Sequence, residues 1–357
     1  MKKNVLAIFV LLFLFGLWPS VYGQEATSCK IFPVLLNGKE GYIDNTGKII
    51  IKPQFFGAGE FSEGLAPVWS GPFPGSRPEA RMGDKVGYAD STGKIVIDIQ
   101  YQGGGAFSEG LAGVETENGW GYIDKSGKVV IKPEFTYGGE FSEGLAAVIT
   151  NGYGEGKIGF IDKTGKIVIK PQFDVMTHFS EGLAAVTIND RVRYINRSGD
   201  FIIGDFSNGS YFSEGLAAVS VDNNQAKYER RWGYINKTGQ IVIEPRYVSA
   251  ASFSEGLAAV NVSSSADGKW GYIDSTGEMR IKPRFTFALK FSEGLAAVQI
   301  GDLETGKWGY VDKTGKMIIK PQFDIAEEFC GGLAKIYIGD KIGYINKTGK
   351  FVWRPAE

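Results

Sequence analysis

The chain has 357 residues, 43 % hydrophobic and 13 % aromatic, enough to bury a sizeable core and an aromatic share that suits β-structure. Fifty glycines against thirteen prolines imply many tight turns, and 39 Lys+Arg against 40 Asp+Glu leave a formal net charge of −1. That balance excludes the strong field of one sign on which nucleic-acid or anionic-membrane binding relies.

The first element in the chain is a leader. Lys2 and Lys3 precede an unbroken apolar run over 5–18, Pro19 ends it, and Val21 and Gly23 stand at −3 and −1 of a cleavage site. This pattern is that of a secretory signal peptide over 1–23. The run is short of the ~20 residues a membrane span needs, and no later segment is apolar enough to cross. The mature chain is therefore expected to be exported (periplasmic, outer surface or secreted), beginning with a short linker over 24–29. Cys29 and Cys330 are the only cysteines. Exported cysteines can pair when their Cα atoms come within about 7 Å. Lipid attachment at Cys29 is disfavoured, because Ala26-Thr27-Ser28 lacks a bulky aliphatic at −3.

Over 30–355 two phrases alternate. One is GYIDNTGKIIIKPQF from Gly41, returning as GYIDKSGKVVIKPEF from Gly121 and GYVDKTGKMIIKPQF from Gly309. The other is FSEGLA, with full FSEGLAAV copies at 141–148, 179–186, 212–219, 253–260 and 291–298, and a variant FCGGLA from Phe329. Nine units result. From the start of a GYID block to the Phe of the next FSEG is 20 positions in seven units and 19 in the unit at Arg193. The connection between LAAV and the next GYID absorbs all the large length changes. Each unit is thus a rigid module with one adjustable turn.

Three short strands are expected per unit: LAAV, WGYID and KIVIKPQF. In GYID the Tyr and Asp alternate with the Ile across the strand. Asp or Asn opens an Asx-turn, and the Gly of D-K-T-G supplies the positive φ of a type I turn with a G1 bulge. The Pro of IKP marks where the third strand leaves the sheet. The aromatic after it (Phe55, Phe135 or Phe323, for example) and the Phe of each FSEG are expected to stack along a continuous core.

GKWGYID at 268–274 and GKWGYVD at 306–312, followed by the TGK, IKPQF and FSEGLA phrases, resemble the WG (KWG) repeat family of bacteria. The resemblance covers nearly the whole mature chain. It implies an all-β tandem-repeat architecture and an extracytoplasmic setting rather than a reaction. The unit at Arg193 lacks the Trp, the WG glycine and the Lys-Pro pair, and FCGG replaces FSEG at Phe329, so looser packing is expected at both places. Every unit is whole, with no blade split between the termini. That favours nine three-stranded antiparallel units in an open twisted β-array or solenoid, with a closed β-propeller as the alternative. A Cys29–Cys330 disulfide would join the first and eighth units and support closure. An open array would leave exposed edges, hence an expectation of self-association.

The Ser-Glu pair of FSEG is the most conspicuous polar motif. A site is normally built once, whereas this pair recurs in seven of the nine units. Its expected work is structural: the Ser caps the turn, and the Glu accepts backbone N–H bonds from it or from the neighbouring turn. The Asp of GYID becomes Asn196, Asn236 and Asn346 in three units, which suits an Asx-turn better than a calcium ladder. His178, the only histidine, has no triad partner in its vicinity. Trp120, Trp232, Trp270 and Trp308 share their position with Val86, Ile158, Val192 and Ile342, which points to core packing. No cofactor or metal is expected. The variable turns over 69–85, 149–157, 220–231, 261–269 and 299–307 are the expected recognition edge. Trp69, Phe73, Arg77, Arg81, Tyr228, Arg230 and Arg231 are their candidate partner-binding residues, because aromatics and Arg anchor interfaces. The resulting expectation is a non-enzymatic binding or scaffolding module for a protein or glycan of the cell envelope. The alternative is a glycan hydrolase using loop carboxylates such as Glu79 and Asp84.

Overall fold

A computed structural model describes residues 29–71, 85–150, 156–222, 230–263 and 269–354. The leader over 1–23, most of the linker, and Phe73, Arg77, Glu79, Arg81, Asp84 and Tyr228 lie outside the described residues.

Nine separate antiparallel sheets follow one another along the chain, each with its strands in sequential order. The first has three: β1 (Ile31–Leu36), β2 (Lys39–Asp44) and β3 (Ile49–Phe55). The second adds a two-residue strand before the same three: β4 (Gly57–Ala58), β5 (Leu65–Trp69), β6 (Val86–Asp90) and β7 (Ile95–Tyr101). The seven later sheets repeat this four-stranded plan. The last of them packs against the first, so the chain forms a closed nine-bladed β-propeller. Of the two expected arrangements, the ring is the one adopted, and blade closure needs no shared sheet. The extra first strand, missed in the sequence, is the short stretch just after the IKPQF aromatic.

The core is divided rather than continuous. Within GYID, Tyr42 packs with Phe55, Ala66 and Val68 between blades 1 and 2, while Ile43 packs with Leu333 and Tyr344 between blades 9 and 1. The alternation of the third strand therefore glues each blade to both neighbours. At every junction from blade 1 to blade 9, the ring at the Tyr position meets the next blade's FSEG Phe. Tyr42–Phe61 and Tyr310–Phe329 are both 4.8 Å between centroids, and Phe160–Phe179 is 5.1 Å. Such pairs contribute roughly 0.5–1.5 kcal/mol beyond burial.

The turn between the third and fourth strands takes four residues in all nine blades, as from Asp44 to Ile49 and from Asn346 to Phe351. Asp44 Oδ1 accepts the Thr46 and Lys48 N–H groups at 2.9 and 3.0 Å, and Gly47 sits at φ +87°. Acceptance falls two and four residues on, with Thr46 Oγ1 donating as well.

The WG glycine has a steric cause. A Cβ on Gly121 would lie 2.6 Å from Ile131 O and 2.7 Å from Pro133 N, because the bulged fourth strand crosses directly over it. Blade 5 solves the same crossing the other way. Arg193 occupies the glycine position, the fourth strand is a residue shorter and has no Pro, and Gly204 yields the space beneath the Arg193 side chain. Ile203 and Phe206 remain buried there, at 7 % and 8 % exposure. The departure at Arg193 is thus a compensated exchange and not loose packing.

Candidate functional site

Each SEG forms a two-residue hairpin turn. Ser62 and Leu65 exchange backbone hydrogen bonds at 2.9 and 3.0 Å, while Glu63 and Gly64 take φ of +52° and +91°. Two positive φ values define a type I′ turn, in which Asn-Gly is the usual choice and Glu is strained. The strain is tolerated because the Glu has work to do. Its carboxylate accepts the N–H of the next blade's turn glycine, as Glu181 does from Gly215 at 3.1 Å and Glu255 from Gly294 at 3.0 Å. In five junctions it also meets the lysine of the neighbouring D-K-T-G-type turn, as in Lys237–Glu181 at 2.9 Å and Lys347–Glu293 at 3.1 Å. The Ser hydroxyl does not cap its own turn. It donates to the carbonyl of the next blade's FSEG Phe, from Ser62 to Phe107 O at 2.6 Å through Ser292 to Phe329 O at 2.6 Å. The Ser-Glu pair is therefore an inter-blade clasp, repeated at seven junctions.

The clasp turns and the D-K-T-G turns both join strands one-to-two and three-to-four, so a meander puts them on the same face of the ring. The adjustable connection, between the second and third strands, emerges on the opposite face. It runs from two residues (37–38) to sixteen (70–85). Its one long member described throughout is well anchored: Gln299, 6 % exposed, donates from Nε2 to Leu303 O and Gly306 O, both at 3.2 Å. Lys157–Asp174 and Lys307–Asp324 ion pairs tie the feet of two such loops to the start of the next blade.

Of the expected partner-binding residues, Trp69 ends β5 at 7 % exposure within the core between blades 2 and 3. Arg230 opens the third strand of blade 6, and Arg231, half-buried, pairs in register with Val221. The structure brings Arg230 and Arg231 to the base of one long connection on the loop face, four blades of the nine away from Trp69 in blade 2. The WG tryptophans pack against the core: Trp270 is 7 % exposed, and Trp120, Trp232 and Trp308 are partly buried against their clusters. Among the described residues no group of three or more His, Cys, Asp or Glu is placed to hold a metal ion. Cys29 and Cys330 form a disulfide with Cα atoms 5.5 Å apart, joining blade 1 to blade 9 and not to the eighth unit, because the stretch ending at Cys330 is the first strand of the last sheet.

Sequence reasoning took up His178 alone from one set of chemistry-bearing residues. The two positions before each FSEG Phe read Gly59-Glu60, Gly139-Glu140, Thr177-His178, Ser210-Tyr211, Leu289-Lys290 and Glu327-Glu328 in six of the blades. Their signal was variable identity at constant length between invariant flanks.

No curated protein matches the chain. Among solved structures, one titled as a eukaryotic initiation factor superposes with a TM-score of 0.59 at 12 % identity, covering 88 % of each chain. Porphyromonas gingivalis dipeptidyl peptidase 4 gives 0.55 at 10 % identity over 88 % of this chain, which spans 65 % of that one. Identities this low show a shared fold and nothing about activity. The family model for the WG containing repeat matches eight times, over 41–68, 87–120, 120–153, 158–191, 193–224, 232–264, 270–303 and 308–341. With that coverage, running from the first blade into the ninth, the chain belongs to the WG repeat family.

Proposed function

We propose that the protein is a non-catalytic binding or scaffolding module of the cell envelope or surface, recognising a protein or glycan through its loop face. The observation that carries this reading is the contrast between the two faces. On the clasp face every turn has a fixed length, its Ser and Glu groups are engaged in holding blades together, and its Asp groups are engaged within their own turns. On the loop face connection length varies from two to sixteen residues while the strands beneath keep their register. Insertions at one register of a repeat protein alter its surface without disturbing its core.

The test uses residues 24–357 as bait against an envelope extract, beside a variant with the 70–85 and 223–229 connections cut to two residues. Circular dichroism establishes that the variant folds. The expected result is a partner that, once purified, binds the intact ring saturably and the shortened ring at least tenfold more weakly. Equal binding to both would defeat the assignment to the loop face.

A further inference from the structure

Closing the ring removes the two ends of an array but leaves nine outer edges, because the last strand of every blade has a neighbour on one side alone. Such edges template the addition of another strand unless charged side chains, Pro or a cover protect them. Eight of the nine strands carry that protection in their sequence. A charged residue stands three positions after the first residue of each, as Lys52, Lys132, Glu244 and Lys320 do, and in seven of the eight Pro comes next. Blade 2 has no Pro there but keeps Asp98, with Lys94 just ahead of the strand. Blade 5 has neither device: its last strand, Phe201–Phe206, places Gly204 at the charged position and Asp205 at that of Pro. The exchange between Arg193 and Gly204 explains how this strand is accommodated and not why its edge is left bare.

The surface along this edge is apolar and concave. Phe201 and Ile202 are 46 % and 49 % exposed, as a pair more than the equivalent two residues of any other blade. With Arg193, Ile203, Gly204 and Asp205 they line a shallow cavity of about 310 Å³. Single exposed apolar residues need no explanation, but an apolar hollow on an unprotected strand edge does. Charge is also distributed unevenly along the strand. Just before its start, exposed Asp200 accepts the Asn196 amide at 3.0 Å and has no ion pair among the described residues. Near its finish Arg191 and Arg193 share the one carboxylate of Asp205, at 3.3 and 3.8 Å. A negative start and a positive finish with apolar residues between them are self-complementary, because a two-fold axis sets the start of one strand against the finish of its copy. A patch of one sign would call for a partner of a different kind.

From these observations we infer that the outer edge of blade 5 is a docking surface for a second copy of this chain. The two Phe201–Phe206 strands run antiparallel about a two-fold axis and join two four-stranded sheets into one of eight. Phe201 and Ile202 of the two copies meet across the axis, and Asp200 of each lies against Arg193 of the other. One blade per ring takes part, so the contact is a narrow strip and the dimer is weak and concentration-dependent. The surface is separate from the loop face and does not depend on it.

The test is sedimentation equilibrium of the disulfide-bonded ring, residues 24–357, from micromolar to millimolar concentration, with circular dichroism to establish that each variant folds. A reversible monomer–dimer equilibrium without larger species is expected, since each ring has one such edge. Ile202→Lys should weaken the dimer at least about tenfold by setting two cations across the axis. Asp200→Lys and Arg193→Glu should each do the same alone, and an equimolar mixture of the two should dimerise as the unsubstituted ring does, every opposed pair being again of opposite sign. If Arg193→Glu does not fold, Ile202→Lys and Asp200→Lys decide the matter. Replacing 201–206 by IVIKPQF, the last strand of blade 4, together with Arg193→Gly restores the regular crossing and the regular edge, and should give a folded monomer. Val96→Lys on the protected edge of blade 2 should leave the dimer unchanged. The proposal is overturned if the ring is a monomer at every concentration, which would leave this edge to an extended strand of another protein. It is overturned equally if the dimer survives Ile202→Lys and the replaced strand, or if two folded charge variants fail to restore it when mixed.

Discussion

Seven of the ring's junctions use one interchangeable clasp, and the junction that closes the ring uses none of it. Where a regular blade places Ser, blade 9 has Cys330, and where it places Glu, blade 9 has Gly331. On the other side, the Ile31↔Asp44 and Leu65↔Asp90 registers place Cys29 at the position held by Glu63 in blade 2. The disulfide thus occupies the place of the hydrogen-bonded clasp. Blade 1 has no first strand among the described residues, and the seam compensates at each lost contact. Pro33 O, whose counterpart Pro67 O accepts the Gly59 N–H, accepts the Tyr344 hydroxyl at 2.9 Å instead. Phe32 supplies the ring that an FSEG Phe gives elsewhere, 5.5 Å from Tyr344. Lys335 stands where other blades carry Ala, Gly or Pro; it lies over Tyr337, whose hydroxyl donates to Glu327 at 2.9 Å. Pro33 also removes an N–H from the open edge of β1, which limits strand addition there. A repeat can propagate by identical weak contacts, but its two ends cannot offer each other a complete pair, so closure needed dedicated residues.

The sharpest break of this contrast is the disulfide. It closes a loop with a sequence separation of 301, so loop-entropy arguments place its contribution near the top of the usual range, about 4–5 kcal/mol. Cys29→Ser/Cys330→Ser should lower the urea midpoint accordingly, and a reducing agent should do the same to the unsubstituted protein alone. Identical midpoints with and without reductant would show that the seam holds without its covalent bond. The next largest effect is expected from restoring the repeat at the wrong place. A Cβ on Gly331 would fall 1.6 Å from Cys29 O, so Gly331→Glu should cost about 3 kcal/mol or more. Gly64→Ala meets nothing within 4 Å and carries only the strain of its positive φ, about 1 kcal/mol. Equal losses from the two substitutions would contradict the account of FCGG as the closing device.

Much of the regular junction was legible in the letters, and of the seam only the possible pairing of Cys29 with Cys330 was. Invariant spacing across the GYID-to-FSEG stretch gave the rigid unit, the Asp-to-Asn exchanges gave the Asx-turn, and the hydrophobic replacements at the WG tryptophans gave their burial. These are local properties, fixed by turn chemistry and strand alternation. Closure depends on how a small twist per blade accumulates over nine blades, and no single unit records that angle. FCGG read as a loosened FSEG even though Cys330 had a candidate partner in Cys29, because with 301 positions between the two cysteines nothing local showed that Gly331 makes room for that bond. The unit at Arg193 stood out as a departure, but that Gly204 compensates for Arg193 is hidden until the strand crossing that links them is seen. Apart from His178, the two positions before each FSEG Phe went unread because variation at constant length has no motif.

Regular junctions should yield smaller and nearly equal losses. Ser213→Ala or Tyr234→Phe each leaves one carbonyl, Phe253 O or Ala251 O, without its side-chain donor and should cost about 1 kcal/mol. Phe160 already holds the Tyr position in blade 4, so the ring without its hydroxyl is compatible with the junction. Tyr344→Phe should cost more than Tyr234→Phe, because Pro33 O lacks the strand that would otherwise satisfy it. Equal midpoints for the two Tyr variants would remove the special role given to Tyr344.

The smallest expected effect separates blades by their third turn. Asp44, Asp90, Asp124, Asp162, Asp274 and Asp312 have carboxyl pKa values held below the usual 3.8, first by the Thr or Ser hydroxyl two residues on. For Asp274, where Arg280 adds an ion pair at 2.7 Å, the value falls to about 2. A folded pKa below the unfolded one stabilises fully above 3.8, and the contribution is lost as pH falls through the folded value. Blades 5, 6 and 9 carry Asn196, Asn236 and Asn346 at this position, which accept the same backbone N–H groups without titrating, as Asn346 does from Lys350 N at 3.0 Å. Acid should therefore loosen the six Asp blades and spare the turn at the seam. Urea midpoints between pH 2 and 5 should fall less steeply in Asp274→Asn than in the unsubstituted ring, while Asn346→Asp should steepen the fall by giving the ninth blade the same liability. Parallel curves for all three proteins would mean that these exposed carboxylates exert no measurable pull on stability, and that the choice between Asp and Asn in this turn is indifferent to the fold.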